Sequence, residues 1–187
     1  MQIASWISKL TEPMVLVVGL MTLGAWQQGL RGMPFLYFVV YIVFFFLGSL
    51  ALRILAVKKL QTNWDISDRE KRVKSLVPFL GICAVFFSCI LFWNNAGLTH
   101  FGIGLVTWLL GFALITLRTK ISGHMAVLTL LFGYMIIWFG AYWWLSLVLF
   151  PFVAWSRLIL KRHTIIEVIG GVLYSVVFLL ALQVIMR

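Results

Sequence analysis

Residues 124–155 read HMAVLTLLFGYMIIWFGAYWWLSLVLFPFVAW, and the topology turns on whether this apolar run is one helix or two. A bilayer core about 30 Å thick is crossed by roughly 20 helical residues, so the run is too long for one span without strong tilt and short for two. Gly140 falls near its middle, and Tyr142, Trp143 and Trp144 follow it with the amphipathic rings that favour a membrane–water interface. The run therefore reads as two short helices that meet near Gly140.

Working outward from it, residues 1–12 are weakly amphipathic, with Trp6, Ile7 and Leu10 set against Ser5, Ser8 and Lys9, which suits an interfacial lead-in. Pro13 fits a helix start, and 13–28 makes a first span. Arg31, Gly32 and Pro34 break the pattern before a second span at 35–57. The polar stretch 58–75 precedes a third span at 76–93, a turn at 94–99, a fourth span at 100–117 and a polar connection at 118–123. Beyond the split run, 156–162 form another connection and 163–186 the last span. The expected fold class is all-α: a polytopic membrane helical bundle of six to seven transmembrane segments. It forms a single integral membrane domain over 1–187, without repeat, soluble domain or low-complexity tail.

Composition supports this. The 187 residues are 63% hydrophobic and 11% charged, and a soluble domain of that size needs far more polar surface. Lipid requires each backbone polar group to be satisfied inside its own segment, so uninterrupted apolar runs are helices; barrel strands would alternate. The 15 Lys+Arg outnumber the 5 Asp+Glu, but they lie between apolar runs, where they anchor helix ends and meet anionic headgroups. The expected partners are membrane lipids, and nucleic acid is a poor fit. Cys83 and Cys89 share one apolar run with no metal-ligand spacing around them. The first apolar stretch lacks a small-residue cleavage site and reads as a span rather than a removed signal peptide.

With seven spans, the connections after the second, fourth and sixth lie on one membrane face, and they hold nearly all the unusual polar chemistry. The third carries Ser156-Arg157, five residues, His163, three residues, then Glu167. Residues four apart at a helix start share a face, so Glu167 can bond one imidazole nitrogen of His163 and leave the other to attack or ligate. Arg157 can grip a phosphate with its fork of donors. The second connection carries Lys120 and Ser122-Gly123-His124: a cation, a hydroxyl, close-approach amides at a helix start and a possible general acid. In the first, Asp65, Asp68 and Glu70 each precede a base by four, at Arg69, Arg72 and Lys74, a spacing that stabilises a surface helix.

These residues resemble the type 2 phosphatidic acid phosphatase family, related to vanadium haloperoxidases, whose motifs are Lys-x6-Arg-Pro, Pro-Ser-Gly-His and Ser-Arg-x5-His-x3-Asp. The third is met by Ser156, Arg157 and His163, with Glu167 for Asp. The second is met by Ser122, Gly123 and His124, with Ile121 for Pro. No Lys-x6-Arg-Pro occurs; Arg69 and Arg72 stand in the corresponding region. The resemblance covers roughly 58–170, within a core of about 58–187. It implies a phosphatase that uses no metal or other cofactor and acts on a lipid phosphate such as phosphatidate, phosphatidylglycerol phosphate or a polyprenyl phosphate or diphosphate. His163 would attack phosphorus to give a phosphohistidine, and His124 would protonate the leaving alcohol. Glu167 would orient His163, while Arg157, Ser122, Gly123, Lys120 and one or both of Arg69 and Arg72 hold the phosphoryl oxygens. Two alternatives stay open: a phosphotransferase of the same chemistry, and a non-catalytic lipid-binding protein, motivated by the missing first motif.

Other polar residues have ordinary explanations. Lys58, Lys59, Lys161 and Arg162 read as headgroup anchors, His100 as structural, and Gly170-Gly171 as a place where helices pack closely. The motif face holds every Lys and Arg except Arg31 and Arg187, so the positive-inside rule places it in the cytoplasm.

Overall fold

A computed structural model describes residues 1–28, 35–61, 69–92 and 95–185. Among the described residues the chain is helical with no strand, so the fold is all-α. The helices are α1 (Gln2–Leu10), α2 (Pro13–Gln28), α3 (Phe35–Lys59), α4 (Arg69–Phe92), α5 (Ala96–Arg118) and α6 (Gly123–Phe139). A 3₁₀ helix (Ala141–Val148), α7 (Leu149–Ile159) and α8 (Ile165–Ile185) complete the order. Three stretches, Gln2–Gln27, Ala96–Arg118 and Ile165–Ile185, are long and apolar enough to cross a membrane.

The run 124–155 does break at Gly140, whose φ of +91° is a conformation that side-chain-bearing residues rarely adopt. Its second piece departs from expectation, beginning as a 3₁₀ helix and becoming α-helical only at Leu149. Other boundaries also shift. Helix α4 begins at Arg69, well before the expected 76, and α3 persists to Lys59, so the polar stretch 58–75 is partly helical. The turn expected at 94–99 is cut short because Asn95 Oδ1 accepts the Leu98 amide at 2.9 Å and starts α5 at Ala96. Helix α7 runs to Ile159, which takes Ser156 and Arg157 out of the connection, and α8 starts at Ile165 rather than at His163. The expected interfacial lead-in is itself a packed helix, with Ala4 and Ser8 of α1 buried.

The chain divides into two compact units. In the unit of residues 1–17 and 120–187, α6 packs on α8, α1 on α7, and the 3₁₀ helix and α7 on α6. Its core gathers Met125, Leu128, Phe132, Val153 and Val168. The α6–α8 approach is close because Gly171 carries no Cβ: one built there would strike the Ser122 carbonyl and lie 3.2 Å from the Ala126 amide nitrogen. The pair is pinned by the buried Ser175 hydroxyl, which donates to the Ala126 carbonyl at 2.7 Å.

In the unit of residues 18–119, α3 packs on α4 and α4 on α5 around aromatic rings. Phe86 meets Phe45 edge to face at 5.4 Å between centroids and Phe101 at 6.4 Å, while Trp108 stacks on Phe112 at 5.5 Å. Offset and edge-on contacts of this kind suit the ring quadrupole.

Candidate active site

The spacing of the third motif has a local cause in how α7 stops and α8 starts. Lys161 takes φ +53°, its amide donates to the Leu158 carbonyl (2.9 Å), and the Arg162 amide donates to the Arg157 carbonyl (3.1 Å). That pair of bonds is a Schellman turn, with Lys161 where glycine is usual. The His163 amide reaches the same Arg157 carbonyl at 3.4 Å. The residues between Arg157 and His163 are thus the end of α7 plus the turn that brings His163 back to it. Ser156 is occupied by the helix itself, its hydroxyl donating to the Val153 carbonyl at 2.8 Å.

Next comes a capping box. Thr164 Oγ1 accepts the Glu167 amide (3.3 Å) and Glu167 Oε2 accepts the Thr164 amide (3.2 Å). This folds the Glu167 carboxylate back over the start of α8, where His163 Nδ1 lies 2.8 Å from Oε2. The pair therefore meets, but not as two residues on one helix face: His163 lies ahead of the helix and the cap delivers the carboxylate to it. A carboxylate only accepts, so Nδ1 carries the hydrogen and the lone pair sits on Nε2. Lys120 Nζ stands 3.6 Å from the same carboxylate oxygen.

Glu167 also ties the second motif to the third, because its backbone carbonyl accepts the Ser122 amide at 2.8 Å. Ser122 is extended (φ −78°, ψ 109°) and precedes α6, accepting the Ala126 amide through its carbonyl at 3.0 Å. Its hydroxyl is fully buried and makes no hydrogen bond among the described residues. A buried hydroxyl left unpaired costs about 1–3 kcal/mol. It sits beside the first amides of α6, at the positive end of that helix.

His124, in the first turn of α6, has Nε2 3.1 Å from the Ser8 carbonyl of α1. Arg157 Nη1 donates to the Ser8 hydroxyl at 2.6 Å. Arg157 and Ser122 are 0% exposed, His124 5% and His163 7%, whereas Lys120 is about a third open and Glu167 half-buried. Lys120, Ser122, Gly123, His124, Arg157, His163 and Glu167 all belong to one unit, linked through Glu167, Ser8 and the Arg157 carbonyl.

Arg69 and Arg72 open α4 in the other unit, and their side chains lie outside the described residues. Asp65 and Asp68 lie outside them altogether, so the acid–base pairs expected there are not described. Two site residues escaped the sequence reading. Thr164 had a signal, Thr-x-x-Glu before an apolar run. Ser8 had none, being separated by 116 residues from His124 and 149 from Arg157. Among the described residues no three His, Cys, Asp or Glu side chains group as metal ligands. Compared with known protein families, curated proteins and solved structures, the chain finds no match.

Proposed function

We propose that this chain is a multi-pass membrane enzyme that hydrolyses the phosphate monoester of a membrane lipid, with His163 as nucleophile. The observation that carries the reading is the 2.8 Å contact between His163 Nδ1 and Glu167 Oε2, a pair tied through backbone bonds to the buried residues Arg157 and Ser122. Membrane residence is supported by the three helical stretches of sufficient length and by the apolar side chains turned outward, among them Phe44, Leu47, Leu114, Val177 and Leu180.

In the proposed cycle, the Nε2 lone pair of His163 attacks phosphorus as the bond from phosphorus to the lipid oxygen breaks. The lipid alkoxide takes a proton from His124 and leaves as the alcohol. Water, giving up a proton to the now neutral His124, then attacks the phosphohistidine, releasing inorganic phosphate, returning the electron pair to Nε2 and restoring the His124 proton. Phosphoryl transfer of this kind asks the protein chiefly for position and for charge neutralisation on the equatorial oxygens. Arg157, Lys120, the Ser122 hydroxyl and the Gly123 and His124 amides are of the right chemistry for that. Glu167 fixes the His163 tautomer and steadies the cationic ring of the intermediate.

The test is phosphate release from a panel of lipid phosphates by the purified protein in detergent with excess chelator. Activity should persist with chelator, vanish in His163→Ala, and leave an acid-labile, alkali-stable phosphoryl group on the trapped wild-type protein. Release equal in wild type and His163→Ala would overturn the phosphatase reading. Phosphate appearing on an added alcohol instead of in solution would convert it to a transferase. The proposed topology puts the motif connections in the cytoplasm and Asn95 outside; failure of an impermeant thiol reagent to label Asn95→Cys in intact cells would reverse it.

A further inference from the structure

We infer that Ser8, outside every motif, is a positioning residue of this site, holding His124 and Arg157 in register from α1. The inference rests on the phosphatase reading and adds to it a residue whose own atoms do not touch the phosphoryl group. Each of its two oxygens takes one of the two side chains: the carbonyl lies 3.1 Å from His124 Nε2, and the hydroxyl accepts from Arg157 Nη1 at 2.6 Å. A single buried residue thereby fixes the distance between the proton donor of one motif and the guanidinium of the next.

The sequence explains why that carbonyl is available. A continuing helix would direct the Glu12 amide to it, but Pro13 has no N–H to offer the Lys9 carbonyl, and the Glu12 amide turns to Lys9 instead at 3.4 Å. Helix α1 stops at Leu10, where the Ile7 and Lys9 carbonyls take the Thr11 and Glu12 amides, and the Ser8 carbonyl between them meets His124. Ala4 and Ser8, one turn apart, are the buried residues of α1, which packs on α7 and sets Ile7 against the unit's core, while Ile3, Trp6 and Leu10 are exposed.

The carbonyl also sets the chemistry of His124. It can only accept, so Nε2 carries a hydrogen, the opposite assignment to His163, whose hydrogen is on Nδ1 toward Glu167. Ser8 therefore keeps Nε2 engaged. The two histidines are held as mirror cases, one by a carboxylate at its δ nitrogen and one by a carbonyl at its ε nitrogen.

The experiment is steady-state kinetics of wild type, Ser8→Ala and Ser8→Cys, each scored per amount of folded protein from size exclusion, on whichever lipid phosphate the wild type hydrolyses. Both substitutions keep the carbonyl and remove the oxygen acceptor of Arg157, and cysteine also keeps the volume. The expected result is a fall in kcat of about tenfold or more in both, with KM within about twofold and the pH dependence of kcat unmoved, because a hydrogen bond to a charged donor is lost and the His124 contact is not. Wild-type kcat in either variant, or a loss confined to KM, would overturn the role of Ser8 and leave the phosphatase reading standing. No release by wild type above His163→Ala would remove both together.

Discussion

Both units keep their helices together with packed rings, and around the candidate site a set of directional bonds is added. In residues 18–119 Phe86 meets Phe45 and Phe101 edge to face and Trp108 stacks on Phe112, and in the other unit Phe132 lies 5.8 Å from Phe150 between centroids. Residues 1–17 and 120–187 add to an apolar core a set of directional bonds between elements: Ser8 to His124 and Arg157, Ser122 to Glu167, and Ser175 to Ala126. Apolar packing is non-directional and tolerates small displacements, whereas a buried hydrogen-bonded network tolerates few, because each unpaired member carries its desolvation cost. The bonds around the candidate site therefore hold a geometry that packing alone would leave looser.

The strongest way to break that contrast is a pair of truncations. On the proposed reading, His163→Ala should lower phosphate release by about 10³-fold or more, as for loss of a nucleophile, while costing only about 1–3 kcal/mol in unfolding free energy for the Glu167 bond it removes. Phe86→Ala, which empties the space between two aromatic partners, should do the reverse: a loss of about 3–5 kcal/mol in unfolding free energy with kcat per folded molecule preserved. If Phe86→Ala abolished kcat in folded protein, the division between a packing unit and a site unit would be wrong.

How much of this is legible in the sequence divides along the same line. The all-α class and the break at Gly140 are visible because apolar runs and a mid-run glycine are local features. The pairing of His163 with Glu167 is visible too, although a shared helix face is not its cause: a capping box through Thr164 brings the carboxylate to the ring. The end of α7 is hidden because the left-handed residue of its Schellman turn is Lys161 rather than the glycine that marks such stops. The start of α5 is hidden because Asn95 caps it without a Glu or Gln partner at the third position. Ser8 cannot be found, since a serine in a short amphipathic segment carries no mark of partners more than a hundred residues away. Local signals can be read; contacts set by tertiary packing cannot.

A smaller effect with opposite signs in the two units would sharpen the comparison. Gly171→Ala drives a Cβ toward the Ser122 carbonyl, a backbone atom that cannot rotate aside, and overpacking of this sort costs about 1–3 kcal/mol. Gly81→Ala, inside α4, meets nothing within 4 Å and should stabilise by about 0.5–1 kcal/mol through helix propensity alone. Chemical denaturation reads both. Gly171→Ala should also lower kcat, because the Ser122 end of α6 is pushed from the Glu167 carbonyl that holds it. Equal stability changes at the two glycines would mean that the α6–α8 approach is not as close as described.

The smallest expected effects come from matched helix caps, and they isolate geometry from stability most cleanly. Asn95 caps α5 through the Leu98 amide, and Thr164 caps α8 through the Glu167 amide. Replacing either with alanine removes one side-chain acceptor from one helix start, so Asn95→Ala and Thr164→Ala should each cost about 1 kcal/mol in unfolding free energy. Only the second cap also steers a carboxylate onto a histidine. With its hydroxyl gone, the Glu167 amide loses its partner and the first turn of α8 loosens, so Oε2 is held less firmly against His163 Nδ1. Thr164→Ala should therefore lower kcat about three- to tenfold, and Asn95→Ala should leave it unchanged. Equal stability losses with unequal kcat would show that the turn around Thr164 serves the orientation of one imidazole. Equal kcat in both would mean that His163 and Glu167 keep their register without the cap.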